Sequence, residues 1–285
     1  MLEPEPPAGA VWARCGLGRG PRRGRTVPER SRGPAPRDHP AERGRDSTHR
    51  TAIRGTSSWV LLHGTPLTPA VWRDTARRLP DQPVLVPDCT RVPVTDAQAT
   101  LAARLAAAIG DKRVDVVGHS FGGQIALDLA LLRPQQVRSL TILCSRDTPF
   151  PAFAQTAEAV RAGDPPSVEA SLNRWFAADE IRAESPAVRQ ARSELERASR
   201  ADWAAALDAI ATFDRSSRST ELTMPVALMA AGGDAVATPT VMEELSTRIS
   251  RATFSLHAAW MHMSPFVDPS RLATLLRDAR DAALT

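Results

Sequence analysis

Short apolar runs alternate with longer amphipathic segments along residues 57–285. The runs are rich in β-branched residues and predict strands, whereas the segments between them predict helices. This alternation indicates the α/β class, with a mostly parallel central sheet flanked by helices. The predicted strands are residues 58–62, 83–86, 114–117, 139–144, 225–229 and 252–256, and the first three predicted helices are 69–79, 95–109 and 121–132.

Helix-capping signals refine this pattern. Thr95 with Gln98 three residues later predicts a capping box, and Thr238 and Asp268 each precede a proline, as an N-cap before the first helical residue does. Between about residues 148 and 218 the pattern is helical throughout. We expect an all-helical lid insertion there, covering the ends of the strands.

Residues 1–56 are rich in Pro, Gly and Arg and have no hydrophobic periodicity, which predicts a disordered tail before a folded domain at 57–285. Upstream sequence that is not native, or a basic interaction arm, are the alternatives. The tail holds 12 Arg and 6 Asp/Glu of the chain's 36 basic and 32 acidic residues, which leaves 24 bases and 26 acids in the domain. The domain is therefore nearly neutral, and we expect no nucleic-acid partner.

Cysteine content and hydropathy bear on the cellular location. Three cysteines in 285 residues favour reduced thiols and a cytoplasmic protein. No apolar stretch approaches the roughly 20 residues that span a bilayer, and the first nine residues lack the apolar core of a signal peptide. We expect no membrane association.

The stretch Gly118-His119-Ser120-Phe121-Gly122 carries the strongest chemical signal. It is a G-x-S-x-G motif directly after a predicted strand and directly before a predicted helix, as a nucleophile elbow requires. Ser120 is the candidate nucleophile. The alternative is a helix N-cap serine after a glycine turn.

Two further residues occupy positions that suit a catalytic triad. Asp234 follows the predicted strand 225–229, and His262 follows the last predicted strand. The chain order Ser, Asp, His is that of α/β-hydrolases. Four sequence blocks spread over residues 57–284 also resemble those of α/β-hydrolases: HGTP, VVGHSFGG, AGGDAVATP and WMHMSPFVDP.

The resemblance implies a mechanism and the remaining site residues. In this fold the turn after His63-Gly64 presents the Thr65 N–H to the substrate oxygen, and the Phe121 N–H is the second donor. Some members place the acid at the position of Asp147, which we rank below Asp234. His63, His119 and His257 compete with His262 for the role of base, and we expect His63 and His119 to support their turns.

The predicted lid contains Arg174-Trp-Phe and Ala211-Thr-Phe-Asp, and in these motifs it is similar to oxoadipate enol-lactonases, which open a lactone ring by ester hydrolysis. Trp175, Phe176 and Trp260 are candidates to line an apolar substrate pocket, with plain core packing as the alternative. Two features depart from the family. The tail offers no convincing strands, so the sheet either ends early or pairs with short pieces of 1–56, and Cys89-Thr-Arg-Val-Pro replaces the usual Gly-rich turn.

Together these features predict a serine hydrolase that cleaves a carboxylic ester or lactone of a small metabolite through an acyl-enzyme on Ser120. This interpretation implies a small-molecule partner and neither an organic cofactor nor a metal. The same scaffold serves C–C bond hydrolases, thioesterases, amidases and cofactor-free haloperoxidases or perhydrolases. A non-catalytic binding protein of the same fold is an alternative of another class.

Overall fold

The structure is a computed structural model of the chain, and it describes residues 10–11, 58–79 and 82–283. Within the predicted tail only Ala10–Val11 are described, and they form a strand at the edge of the sheet. Of the two alternatives for this edge of the sheet, pairing with a short piece of residues 1–56 is the one that the structure shows. The predicted disorder of the other residues of 1–56 lies outside the described part of the chain.

A seven-stranded sheet with the order β1-β3-β2-β4-β5-β6-β7 forms the centre of the described chain, and all its strand pairs are parallel. β4 is buried at all six positions, as expected for a strand covered on both faces. The strands are β1 Ala10–Val11, β2 Ser58–Leu62, β3 Val84–Leu85, β4 Val114–His119, β5 Val137–Leu143, β6 Val226–Ala231 and β7 Ala252–His257.

The register brings the loops that follow the central strands to one edge of the sheet. Leu62 at the end of β2 lies opposite Gly118 of β4, which in turn lies opposite Ile142 of β5. Leu143 of β5 lies opposite Met229 of β6. Ligand sites of open α/β sheets form at this carboxyl edge.

Helices cover both faces of the sheet, and none of the described helices is long and apolar enough to cross a membrane. β2 shows the two-faced burial: Val60 and Leu62 pack into one apolar cluster, Trp59 and Leu61 into the other. The helices are α1 Arg73–Ala76, α2 Ala97–Ile109, α3 Phe121–Leu132, α4 Ala152–Ala162, α5 Val168–Trp175, α6 Ala178–Arg182, α7 Pro186–Arg197, α8 Arg200–Thr212, α9 Pro239–Arg248 and α10 Pro269–Ala282.

The five helices α4 to α8 lie between β5 and β6, and we call residues 152–212 the helical insertion. Residues 148–218, all of which are described, contain no strand, as predicted. α4 and α8 pack side by side in the insertion. The strand and helix predictions outside the insertion are confirmed within a few residues, except that 69–79 forms a 3₁₀ turn at Pro69–Trp72 followed by the short α1.

The capping predictions have mixed outcomes. The hydroxyl of Thr238 and the carboxylate of Asp268 accept backbone hydrogen bonds at the starts of α9 and α10, as predicted. The capping box at α2 is wrong, because its N-cap is Asp96 and no side chain caps this helix. Gln98 is buried and donates to Gln124 on α3 instead (2.9 Å), so the contact between the two helices uses the side chain.

Gly122→Ala tests how tightly α3 packs against β2. A Cβ at this position would lie 2.4 Å from the Leu62 carbonyl oxygen and 2.7 Å from that of His63. Backbone atoms of a central strand and its turn cannot move independently, so we expect a loss of about 1–3 kcal/mol in the free energy of unfolding. Urea denaturation monitored by circular dichroism measures it. An unchanged midpoint would contradict the packing described here.

Candidate active site

Ser120 lies at the sharp turn between β4 and α3, with φ 54° and ψ −122°. Its N–H donates to the Leu143 carbonyl (3.0 Å), and its own carbonyl accepts from the Ser145 hydroxyl (2.7 Å). A Cβ on Gly118 would lie 2.4 Å from the Gly122 carbonyl oxygen, so the turn requires small flanking residues. The strained backbone turns the Ser120 side chain away from the sheet, at the N-terminus of α3.

His262 and Asp234 form a buried hydrogen-bonded pair at the same edge. The His262 Nδ1–H donates to Asp234 Oδ2 (2.6 Å), while Asp234 Oδ1 accepts from the amides of Val236 (2.8 Å) and Ala237 (3.0 Å). Burial alone raises the pKa of Asp234, but His262 and the two amides outweigh it, and the pKa lies below its usual value. The carboxylate therefore stays charged and fixes the His262 tautomer.

The loop that carries His262 is tied to the helical insertion. The Met263 N–H donates to the Trp175 carbonyl at the end of α5 (2.8 Å). The Ser264 hydroxyl donates to Glu180 of α6 (2.9 Å) and accepts from the Met261 amide (2.9 Å). These bonds restrict the loop in which the imidazole sits.

His119 also holds the loop that carries His262. Its Nε2–H donates to the His262 carbonyl (2.9 Å), and its buried Nδ1 has no partner among the described residues. Burial, together with the nearby His262, lowers the pKa of His119 to about 3, so the ring stays neutral.

The candidate site residues line one cavity of about 540 Å³, a volume that includes part of its solvent-filled mouth. One side of the cavity is formed by residues at the ends of the strands, namely Ser120, Asp234, His262 and Thr65, and the helical insertion forms the other side. The insertion contributes one cation and mostly apolar side chains: Phe153, Thr156, Arg174, Trp175, Trp203, Leu207 and Ile210.

The two predicted amide donors lie at the border between this cavity and an adjoining one. Thr65 lines both cavities, and Phe121 lines the adjoining one. No described acceptor takes the Thr65 N–H, and Phe121 is the first residue of α3, whose N–H has no partner within the helix. Both amides are therefore available to an oxygen atom near Ser120.

The structure separates the three predicted pocket residues. Trp175 lines the cavity, whereas Phe176 is 1% exposed and packs in the apolar core. Trp260 stacks on His257, with ring centroids 3.7 Å apart, and does not line the cavity. Core packing, the alternative, applies to Phe176 and Trp260. Because successive residues at a helix end point in different directions, Trp175 and Phe176 could not both face the cavity.

The competing residues have structural roles. Asp147 is fully buried and accepts hydrogen bonds from Nε and Nη2 of Arg248 and from the Ser219 hydroxyl. His63 accepts from the Cys89 amide (3.0 Å) and donates to the Gly64 carbonyl (2.9 Å), which holds its turn. His257 stacks on Trp260 at the end of β7.

One group of possible metal ligands lies in the described part of the chain. The donor atoms of His119, Cys144 and His262 are buried and within 4.8 Å of one another. Burial raises the pKa of the Cys144 thiol well above its usual value, so the thiol stays protonated and is a poor ligand. His262 Nδ1 is already bonded to Asp234.

The sequence profile described as "Alpha/beta hydrolase family" matches residues 59–275, about three quarters of the chain. The chain belongs to the alpha/beta hydrolase family. The fold prediction is confirmed.

Three relatives are similar to this chain in sequence. Lipase LipV of Mycobacterium tuberculosis is 32% identical over 154 residues, 44% of this chain and 59% of the lipase. Polyketide synthase ThaQ of Burkholderia thailandensis is 30% identical over 78% of this chain, which spans 12% of that synthase. Pimeloyl-[acyl-carrier protein] methyl ester esterase of Aromatoleum aromaticum is 29% identical over 77% of this chain and 96% of the esterase. The chain thus spans less than two thirds of the first two relatives.

Solved structures share the fold. The enol-lactonase from Burkholderia xenovorans LB400 superposes with a TM-score of 0.72 at 17% identity, covering 79% of this chain and 91% of the lactonase. An esterase from Thermogutta terrifontis, solved with malate bound, gives 0.69 at 22% identity, with 80% and 91% covered.

Substitution of the two buried aspartates separates their roles. Asp147→Asn leaves the Arg248 charge unpaired; because Arg248 is partly exposed, we expect a loss of about 2–3 kcal/mol in the free energy of unfolding, below the usual 3–5 for buried pairs. We expect the folded variant to keep its kcat within a few-fold. Asp234→Asn should lower kcat on the order of 10⁴-fold. Ester hydrolysis and urea denaturation of both variants measure this, and a reversed ranking of the two kcat values would refute the assignment.

His119 makes stability depend on pH. Its pKa is about 3 in the folded protein against 6.5 when exposed, so between these values the unfolded chain binds a proton that the folded chain does not. The contribution is complete above pH 6.5 and is lost as the pH falls, by about 1.4 kcal/mol per pH unit. His119→Gln, which keeps a donor towards the His262 carbonyl, should flatten the decline between pH 7 and 5. Urea denaturation at several pH values measures both slopes, and equal slopes would count against a neutral His119.

Proposed function

We propose that this hydrolase cleaves a carboxylic ester or lactone of a small metabolite through an acyl-enzyme on Ser120. One observation carries the proposal: Ser120 and the hydrogen-bonded His262–Asp234 pair line the same cavity at the carboxyl edge of the sheet. A hydroxyl, an imidazole and a carboxylate in this order form the nucleophile, base and orienting acid of serine hydrolases.

In the proposed first half-reaction, His262 Nε2 takes the proton from the Ser120 hydroxyl while the oxygen attacks the substrate carbonyl carbon. Negative charge develops on the carbonyl oxygen, which the Thr65 and Phe121 amides and the N-terminus of α3 stabilise. Asp234 stabilises the imidazolium that forms. His262 then gives its proton to the leaving alcohol oxygen, and the acyl-enzyme remains.

In the second half-reaction a water molecule takes the place of the alcohol. His262 removes a proton from the water as it attacks the acyl carbon, and the same two amides hold the oxyanion. When the bond to Ser120 breaks, His262 returns the proton to its oxygen. The products are a carboxylic acid and an alcohol, or one hydroxy or oxo acid when the substrate is a lactone.

The names of the relatives and the lining of the cavity support this substrate class. A lipase, a methyl ester esterase and an enol-lactonase all cleave an acyl–oxygen bond. Apolar side chains and a few polar groups line the cavity, as in other small-molecule sites. The cytoplasmic location expected from the cysteine content stays a prediction.

Ser120→Ala tests the nucleophile. Without the hydroxyl no acyl-enzyme forms, so we expect kcat for p-nitrophenyl butyrate to fall by about 10⁴-fold or more and a fluorophosphonate probe to leave the variant unlabelled. Because the triad acts as a unit, the double variant Ser120→Ala/His262→Ala should be no slower than Ser120→Ala. Ser217→Ala, an exposed serine outside the site, is the matched control.

Labelling of Ser120→Ala as strong as that of the wild-type protein would refute the proposal. A panel of esters, lactones, thioesters and amides ranks the substrate class by kcat/KM. Faster cleavage of thioesters or amides would keep Ser120 as the nucleophile but overturn the ester assignment. Binding of the panel without turnover would favour a receptor of the same fold.

A further inference from the structure

Arg174 is the one residue of the cavity lining whose charge the proposed mechanism does not use. It lies in the last turn of α5 and lines the cavity together with Ser120 and His262. The guanidinium is about half-buried among side chains that are mostly apolar, including those of Trp175 and Trp203. Burying a charge in such surroundings is unfavourable unless a partner compensates for it.

Arg174 has no such partner among the described residues. No carboxylate, carbonyl or hydroxyl accepts a hydrogen bond from it, and no aromatic ring stacks under it. Burial lowers its pKa from the usual value, and no acidic neighbour offsets this effect. The two other titratable groups of the lining, Asp234 and His262, are bonded to each other.

Three other partly buried arginines among the described residues are compensated. Arg248 forms a two-pronged ion pair with Asp147, Arg215 does so with Asp128, and Arg146 donates to the carbonyls of Thr148 and Val236. The C-terminal dipole of α5 favours a cation at Arg174, but that effect is weak and equally favours a side chain turned to solvent.

We propose that Arg174 binds a carboxylate of the substrate, so that the enzyme prefers esters or lactones which carry a second, free carboxylate. This inference rests on the proposed function. A guanidinium offers a planar fork of N–H donors that matches a carboxylate. The substrate would join its reacting carbonyl to the carboxylate through a short apolar spacer that contacts Trp175, Trp203 and Leu207.

A carboxylate fits the described lining better than a phosphate. A phosphate monoester carries close to two negative charges at neutral pH and three acceptor oxygens. The cavity offers it one unpaired cation, and the negative charge of Asp234 lies in the same lining. One guanidinium suffices for a singly charged carboxylate.

The test compares two substrates of equal acyl chain length, mono-p-nitrophenyl adipate and p-nitrophenyl hexanoate. A hydrogen bond to a charged partner contributes about 1.5–3 kcal/mol, and its loss corresponds to a decrease of roughly 10- to 100-fold in affinity. We expect Arg174→Met to lower the ratio of kcat/KM for adipate ester over hexanoate ester by about this factor. Arg174→Lys keeps the charge without the fork and should restore part of the ratio. Arg182→Met, an exposed arginine of the insertion that does not line the cavity, should leave the ratio unchanged.

Inhibition of hexanoate hydrolysis by free adipate provides a second readout, which does not depend on which side of the ester carries the carboxylate. We expect competitive inhibition of the wild-type protein and a Ki at least 10-fold higher for Arg174→Met. An unchanged substrate ratio together with an unchanged Ki overturns the proposal, as does an equal loss on both substrates, which indicates packing. Absence of Ser120-dependent hydrolysis of either ester overturns the proposed function instead.

Discussion

The left-handed backbone of Ser120 is the constraint on which the rest of the site depends. A non-glycine residue with φ near 54° is strained by about 1–3 kcal/mol, and it persists only where its surroundings fix it. Here the Leu143 carbonyl and the Ser145 hydroxyl hold the peptide groups on either side, and the glycines allow α3 to approach β2. The same turn ends β4 and begins α3, so it sets the position of the hydroxyl and of the Phe121 amide together.

The two buried aspartates show how environment decides function. Both follow a strand of the sheet, and both are almost inaccessible to solvent. Asp147 faces an arginine, which keeps its charge at every accessible pH, so the pair can hold elements together but cannot move a proton. Asp234 faces a histidine and two amides, and an imidazole can accept a proton at one nitrogen while the other stays bonded to a carboxylate. Only the second pair can support proton transfer.

Local patterns predicted the strands, the elbow and the order of the triad residues, because each depends on a few neighbouring positions. Tertiary contacts decide what these patterns missed. Gln98 has the spacing of a capping box, yet a glutamine on α3 lies within its reach and bonds to it instead. Phe176 and Trp175 are adjacent and equally apolar, and only the packing of α5 decides which one faces the cavity. The Arg174-Trp-Phe motif marked the correct segment, but its arginine becomes informative only once the structure shows it without a partner.

Hydrogen bonds join the helical insertion to the turn that follows Thr65 and to the loop that carries His262. Glu194 of α7 accepts from the amide (2.8 Å) and the hydroxyl (2.6 Å) of Thr68, three residues after Thr65. Trp175 and Glu180 bond to the loop that carries His262. Burial raises the pKa of Glu194, an unfavourable placement for a carboxylate that the Thr68 bonds partly offset.

The proposed catalytic groups and the rest of the cavity lining come from two different parts of the chain. The strand ends position the groups proposed as nucleophile, base and amide donors, and none of these comes from the insertion. The insertion supplies most of the other side chains that line the cavity. Since its anchoring bonds use the backbone of Trp175 and the side chains of Glu180 and Glu194, the residues that line the cavity can change without loosening the anchors. Substrate preference can thus vary on a fixed catalytic frame.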